Sequence, residues 1–557
     1  MVSVEKSVFL RLGSEYKGMS TSTLVRGTFI LTLGTFISKF LGLFYVIPFY
    51  ALLGNGEGPL ALYSYGYVPY TIFLSIATAG VPLAVSKFIA KYNALEEYEI
   101  GRRLFRSGLW LMTLTGFISF LIMYLFAPVF AGMVIAADEQ LVTVEQVTTV
   151  IRAVSFALIV IPFMSLIRGF FQGHQSMGPT AVSNVVEQIV RIVFLLIGVY
   201  VVLYVIEGSM TTAIAIATFG AFVGGAASLA LLIWYYIKRK PHLDKMLSKS
   251  KGKIDISIKD MYKEIVLYSI PFVLVGVANP LFQLVDILTF NRAMTSIGLA
   301  AVSDFQFGIL TFTTHKLVII PVSLATAFAM TLIPVITSTF SKGNWKALNH
   351  QLDQTFQILL FLTMPAAIGL ALLAEPAYTV FYSYSELGTE VLRTYSPVAI
   401  LFALYTVTAA MMQGINEQRW SVLSLLVGLL VKLAINIPLV RLFEVQGAVL
   451  ATAIGYVVAI VINLLVIRHF AAYKYRIVVK RTLLMVIFNI IMAVPVMLAY
   501  FGLTLFMDTA SRWQSIVILT ICGVIGAFVY FVLSLKSRLA DRLFGDRVTR
   551  LRKRFTS

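Results

Sequence analysis

Apolar runs long enough to cross a bilayer, each needing roughly 20 residues for about 30 Å of hydrocarbon, recur along almost the whole chain. They fall near 27–53, 62–90, 107–131, 147–170, 180–206, 211–237, 265–290, 305–340, 353–381, 392–415, 420–442, 446–467, 481–505 and 514–536. About fourteen crossings follow (spans 1 to 14), and only helices or closed barrels satisfy their own backbone in lipid. Runs of this length predict an all-α polytopic membrane protein. The eighth run is too long for one crossing and is expected to include turns outside the membrane.

Composition agrees: 59% of the 557 residues are hydrophobic and 13% charged, with a mean hydropathy of +0.89, far from a soluble globular chain. The net charge of +18 is distributed as a topology signal, because basic residues stay on the cytoplasmic side. Lys87, Lys91, Arg102, Arg103 and Arg106 follow span 2, a cluster from Lys238 to Lys263 follows span 6, Lys342 and Lys346 follow span 8, and Arg468 to Arg481 follow span 12. The opposite connections hold Asp138, Glu139 and Glu145, then Glu207, then Glu375, Glu386 and Glu390. Both termini are then expected in the cytoplasm, with no role for nucleic acid. The basic tail, "KSRLADRLFGDRVTRLRKRF", is expected to lie on anionic lipid. The first 25 residues lack the apolar core of a cleavable signal peptide, so span 1 is expected to serve as its own insertion signal.

Candidate chemistry is sparse. A single cysteine, Cys522, excludes an intramolecular disulfide, and the five histidines (His174, His242, His315, His350 and His469) have no metal-ligand spacing. There is no phosphate-cradling glycine loop and no catalytic constellation, so the chain reads as no enzyme and as lacking a metal or organic cofactor.

Internal repetition sets the architecture. "SIATAGVPLAVSKFIAKYN" at Ser75 recurs as "SLATAFAMTLIPVITSTFSKGN" at Ser323. "FQGHQSMGPTAVSNVVEQIVRI" around Gln172 and Gly173 recurs as "MQGINEQRWSVLSLLVGLLVKL" around Gln413 and Gly414, with Arg191 over Lys432. Two six-helix halves follow, in the same orientation, since six is even. Parallel repeats that rock around a central site are a transporter architecture. The expected division is a cytoplasmic segment 1–26, an N-lobe 27–237, a basic linker 238–264, a C-lobe 265–467, a basic loop 468–480, an added helical pair 481–536 and a basic tail 537–557.

A charge at the centre of a membrane helix costs about 2.5 to 3.5 kcal/mol on insertion scales and usually faces a cavity. The candidates are Lys39 in span 1, Glu187 and Arg191 in span 5, Asp286 in span 7, Lys316 in span 8 and Lys432 in span 11. Glu187 and Arg191, four residues apart, share a helix face as a ready salt bridge. Arg168 falls at the turn between spans 4 and 5, where charge is cheap. Lys39 and Lys316 have no acidic residue three or four positions away, and an unpaired cation facing a cavity suits a phosphate or pyrophosphate.

Five strings carry a family resemblance: "VRGTFILTLGTFISKFLG", "SIATAGVPLAVSKFIAKYN", "MSLIRGFFQGHQSMGPTAVSNVVEQIVRI", "HKLVIIPVSLATAFAMTLIP" and "QGINEQRWSV". Through them the chain resembles the MurJ-type lipid II flippases of the multidrug/oligosaccharidyl-lipid/polysaccharide exporter superfamily, in the branch found in bacilli. The resemblance implies two lobes in a V and alternating access that moves lipid II, an undecaprenyl-pyrophosphate-linked peptidoglycan precursor, across the plasma membrane. It also implies a monomer that works beside cell-wall synthesis proteins, with Lys39 and Lys316 at two of the family's arginine positions. A second first-helix arginine falls on Tyr45, an arginine pair near Leu74 and Ser75, and a glutamate on Ile319. Some relatives hold sodium between helices 7, 11 and 12, where Asp286, Asn436 and Thr452 are the matching residues. Lys432, one turn before Asn436, is expected to replace that sodium as the partner of Asp286. Coupling through protons or membrane potential is then favoured over Na+.

Three other readings stay open. A flippase for another undecaprenyl-linked glycan (capsule, teichoic or sporulation) shares the motifs. A cation-coupled multidrug exporter would show cavity carboxylates, and a membrane scaffold would need no mid-helix charge at all.

Overall fold

The computed structural model describes residues 21–544 apart from 55–57, 137–138, 253–256, 258, scattered positions in 260–275, 331–335, 338 and 341. The expected N-terminal segment, including Lys6, Arg11 and Lys17, lies largely outside the described residues, as do Lys253 of the linker and the tail beyond 544. The described residues form helices and no strand. Eleven helical stretches among them are long and apolar enough to cross a membrane. Span 2 is not among the eleven, because its helix Gly58–Ala79 carries tyrosines at 63, 65, 67 and 70.

Several spans are broken for identifiable reasons. Span 1 runs as Thr21–Phe44 and then Val46–Leu52. Pro48 causes this, because it has no N–H for the carbonyl of Phe44 and its ring crowds that oxygen. Tyr45 sits at the break. Span 8 runs as Ala300–Gly308, a π turn over Ile309–Thr314, and His315–Met330. In that widened turn Thr313 and Thr314 both donate their hydroxyls to the Ile309 carbonyl, at 2.9 and 2.8 Å. Single π turns of this kind concentrate at functional sites.

Spans 11 and 12 lie within Gln418–Phe470, a 53-residue stretch interrupted at Glu444 (φ 49°, ψ −130°). Straight, it would measure about 80 Å at 1.5 Å per residue, yet a Cβ on Gly428 would meet the Gly455 carbonyl oxygen at 2.6 Å. The chain therefore folds back at Glu444 into two antiparallel helices whose glycines let the backbones touch, as small residues do in membrane bundles. Span 6, Met210–Leu247, continues ten residues beyond its expected end, and Lys238 lays its ammonium over the Trp234 ring at 5.0 Å.

The repeat is visible in the backbone. Ala157–Gly173 and Val398–Gly414 are both 17 residues long, and each ends in the same cap. Gln175 (φ 57°) and Asn416 (φ 64°) take left-handed conformations. The next amides then close back, Ser176 to the Phe171 carbonyl at 2.9 Å and Glu417 to that of Met412 at 2.8 Å, the six-to-one bond of a Schellman ending.

One buried core runs through both halves. Spans 13 (Arg476–Thr504) and 14 (Arg512–Lys536) pack on span 9 through a separate core that includes Phe361, Met485, Phe488, Ile518 and Cys522. The halves meet mainly where Gly58–Ala79 of span 2 packs against Ala278–Ser296 of span 7 and the first part of span 8.

Candidate functional site

Span 2 presents different tyrosines to different neighbours. Residues four apart lie one above the other on a helix face, so Tyr63 and Tyr67 point the same way, and their rings stack with centroids 5.2 Å apart. Arg191 of span 5 lies against this pair. Its Nη2 donates to Tyr63 Oη at 3.2 Å and Tyr67 Oη at 3.0 Å, and its guanidinium sits 5.2 Å from the Tyr67 ring centroid. Lys316 of span 8 approaches from the other half and donates from Nζ to Tyr45 Oη at 2.9 Å. That ammonium also lies over Phe312 at 3.6 Å, Tyr45 at 4.8 Å and Tyr63 at 5.7 Å. Tyr63 thus touches both cations, one from each half. Aromatic faces attract cations by about 0.5 to 2 kcal/mol but do not neutralise them, and no carboxylate pairs with Lys316 or Arg191 among the described residues.

Arg191 and Tyr67 also border a cavity of about 430 Å³ inside the first half, lined in addition by Tyr70, Arg168, Asn184 and Glu187. Glu187 is not the partner of Arg191, contrary to the expectation from their spacing. It accepts from Arg168 Nη2 at 2.7 Å, and Arg168 further donates to Ser183 and Ser228 at 2.9 and 2.8 Å. Arg168 is therefore no cheap surface charge at the turn: it is half-buried and points back between spans 4, 5 and 6. A partner on the neighbouring helix, backed by two serine hydroxyls, outcompetes the weak pairing along one helix.

Lys39 is exposed on span 1 and has no hydrogen-bond or ion-pair partner among the described residues. The structure does not bring it into the Lys316 cluster. The second-half candidates do assemble. Lys432 is fully buried, and its Nζ donates to Asp286 Oδ2 at 2.6 Å and to the Phe282 carbonyl at 2.7 Å. Asn436 donates to Thr289 at 2.7 Å, one turn along the same interface, whereas Thr452 donates to its own helix at Ala448. The ammonium thus takes oxygens that a bound sodium would need, so this residue set does not fit that ion.

A further charge, unsuspected from sequence, joins the halves on the side away from the basic loops. Asp304, fully buried at the start of span 8, accepts from Tyr65 Oη at 2.5 Å, Gln140 Nε2 at 3.0 Å and the Val142 amide at 3.0 Å. Asn291 of span 7 donates to Tyr65 Oη at 2.8 Å and to the Val134 carbonyl at 3.1 Å. The two bonds to Tyr65 end inside the span 2 helix, the other three end on a loop or helix end of the first half, and all five cross between halves. At the opposite end of span 2 a Cβ on Gly80 would meet Ser269 Cβ of span 7 at 2.7 Å. The halves therefore also touch toward the basic side.

Comparison with known proteins places this arrangement. Residues 24–340 match the family described as polysaccharide biosynthesis protein. Over 95% of this chain and 98% of its own length, the lipid II flippase MurJ of Bacillus subtilis (strain 168) is 46% identical. The chain belongs to the MurJ-type lipid II flippase family. A solved structure of a MurJ-family flippase in an inward closed conformation superposes over 92% of this chain and 99% of its own, with a TM-score of 0.62 and 16% identity. An inward-facing multidrug resistance transporter of the related superfamily covers 78% of this chain and 94% of its own at the same TM-score, also with 16% identity. At that identity these structures establish the shared all-helical fold alone; that the chain is a multi-pass membrane transporter follows from its membership of the flippase family. In this MurJ-family chain the central charges are Lys316 and Arg191. Sequence reasoning missed Tyr63 and Tyr67, whose signal was the four-residue tyrosine spacing in "YSYGYVPY", and Asp304, which that spacing does not touch.

Proposed function

We propose that the chain is a lipid II flippase, moving the undecaprenyl-pyrophosphate-linked peptidoglycan precursor from the inner to the outer leaflet of a bacterial plasma membrane by alternating access. The carrying observation is the 46% identity to a lipid II flippase over nearly the full length of both chains. The charge pattern supports it: the two halves converge on tyrosines with one carboxylate-free cation each, a sign that suits an anionic headgroup and not a cationic drug. Basic connections on one side support cytoplasmic termini, and the chain works as a monomer.

The substrate's diphosphate meets Lys316 and Arg191 while the halves are apart on the cytoplasmic side. Its charge offsets theirs and lets the halves close around it, and opening at Asp304 releases it outward. Coupling runs through protons or membrane potential, with no sodium. Asp286 keeps Oδ1 without a hydrogen bond, a free oxygen that a proton can take when Lys432 moves. Substrate binding that depends on sodium and survives Lys432→Ala unchanged would contradict the sodium-free site.

The deciding experiment depletes the protein in its host and measures which leaflet holds lipid II. Inner-leaflet accumulation, relieved by wild type and by Lys316→Arg in part but not by Lys316→Ala, is expected. Full complementation by Lys316→Ala would remove the cation from the mechanism.

A further inference from the structure

Tyr45 and Tyr63 hydrogen-bond to each other; apart from that one O–H, which a stronger acceptor such as a phosphate oxygen can take over, the phenolic hydrogens of the central cluster have no acceptor among the described residues. A phenol carries one O–H donor and accepts through its oxygen lone pairs. At Tyr45, Tyr63 and Tyr67 the accepting role is filled by cationic N–H groups of Lys316 and Arg191. Pulling on the oxygen in this way makes each O–H a better donor, because linked hydrogen bonds polarise one another. Lys316 spends one of its three donors on Tyr45 in this arrangement. The fixed geometry comes from the fold: Pro48 breaks span 1 at Tyr45, the four-residue spacing aligns Tyr63 with Tyr67, and Phe49 and Phe312 pack edge-on against Tyr63.

We propose that Tyr45, Tyr63 and Tyr67 are substrate-binding residues that donate their phenolic hydrogens to the non-bridging oxygens of a diphosphate ester. This deepens the flippase reading and rests on it. A diphosphate diester carries one negative charge on each phosphorus, so two cations balance it and leave no excess to hold it. Neutral donors then supply selectivity for phosphate oxygens without adding Coulomb attraction, which suits a carrier that has to let go. A phenol within contact of both cations, as Tyr63 is, places a donor between the two phosphates and both halves of the protein.

The test uses the full chain, purified in nanodiscs, with lipid II as probe and a neutral lipid of the same chain length as control. Tyr63→Phe is expected to weaken lipid II binding about tenfold, the loss for one hydrogen bond to a charged group, with an unchanged melting temperature. Replacing Tyr63 by 3-fluorotyrosine at mildly acidic pH separates a binding role from a positioning one, since fluorination strengthens the O–H as donor and weakens the oxygen as acceptor. Direct donation predicts tighter binding; a tyrosine that only holds Arg191 in place predicts weaker binding, which overturns the proposal. If Tyr63→Phe binds like wild type while Lys316→Ala loses binding, the tyrosine role falls and the flippase reading stands. If wild type binds lipid II no better than the neutral lipid, both fall.

Discussion

Among the described residues each half holds one ion pair shielded at least in part from water and one cation set among tyrosines without a carboxylate, and the two pairs differ in how they meet water. In the first half Arg168 and Glu187 pair at 2.7 Å with side chains 14% and 23% exposed, on the wall of the cavity. In the second half Lys432 and Asp286 pair at 2.6 Å with side chains 0% and 8% exposed. The first pair borders open space wide enough for water. The second is sealed, so its charges have only each other, the Phe282 carbonyl and a proton to exchange with. The lone cations, Arg191 and Lys316, face each other across tyrosines. Carboxylates thus answer the two paired charges, while Arg191 and Lys316 are met by hydroxyls that hold them in place without cancelling them.

That contrast predicts unequal costs. Asp286→Ala strands a fully buried ammonium and is expected to cost about 3–5 kcal/mol, read as loss of folded protein in a detergent melt. Asp286→Leu combined with Lys432→Met is expected to restore stability, because an apolar pair of similar size replaces a desolvated ion pair at little or no cost. If the double variant is as unstable as the single one, the pair is not the source of the loss. Arg168→Ala leaves Glu187 beside a wet cavity and is expected to cost less, about 2 kcal/mol for a charged hydrogen bond. Equal losses for Asp286→Ala and Arg168→Ala would erase the distinction between the sealed and the wet pair.

The sequence pattern made the helices, the duplication, the family and the Asp286–Lys432 pair legible, because length, self-similarity and a charge one turn from a polar residue survive without coordinates. It also pointed to Lys316 as a cation without a carboxylate, but gave Arg191 to Glu187. It misassigned Glu187, because spacing along one helix says nothing about a stronger partner on the next. Tyr45 read as a lost arginine, whereas in the structure it stands at the Pro48 break and accepts from Lys316. Lys39 read as a cavity residue because it stands mid-helix with no acidic residue three or four positions away; the structure leaves it exposed beside Phe36 and Phe40. Asp304 escaped notice because it borders an apolar run, where a carboxylate ordinarily meets water, and its three donors come from distant segments.

Asp304 is a third kind of charge, a buried carboxylate with hydrogen-bond donors and no cation. Asp304→Asn keeps one acceptor oxygen but turns an NH2 toward groups that themselves donate. The expected loss is about 1.5 to 3 kcal/mol from the closed arrangement on that side, enough to shift its population at least tenfold. Spin labels at Leu141 and Ile297, both exposed, would report a longer distance in the variant. The buried Cys522 offers no competing label site. An unchanged distance distribution would mean that Asp304 braces span 8 without holding the halves together.

The smallest effect is expected where pairing occurs without burial. Lys251 and Glu96 meet at 2.7 Å with both side chains about half exposed, on the basic side. The lysine's hydrogen bond and charge hold Glu96 below the usual carboxylate range, and the same bond holds Lys251 above the usual ammonium range. The glutamate's contribution is therefore present at neutral pH and lost as pH falls through its lowered value, in the acid range below about 4.3. The lysine's is lost only as pH rises through its raised value, above about 10.4. Between these limits the melting temperature of Glu96→Gln should match wild type in moderate salt, since water and ions screen an exposed pair. A Glu96→Gln loss as large as that of Arg168→Ala would show that pairing itself, and not exclusion from water, sets the hierarchy among these charges.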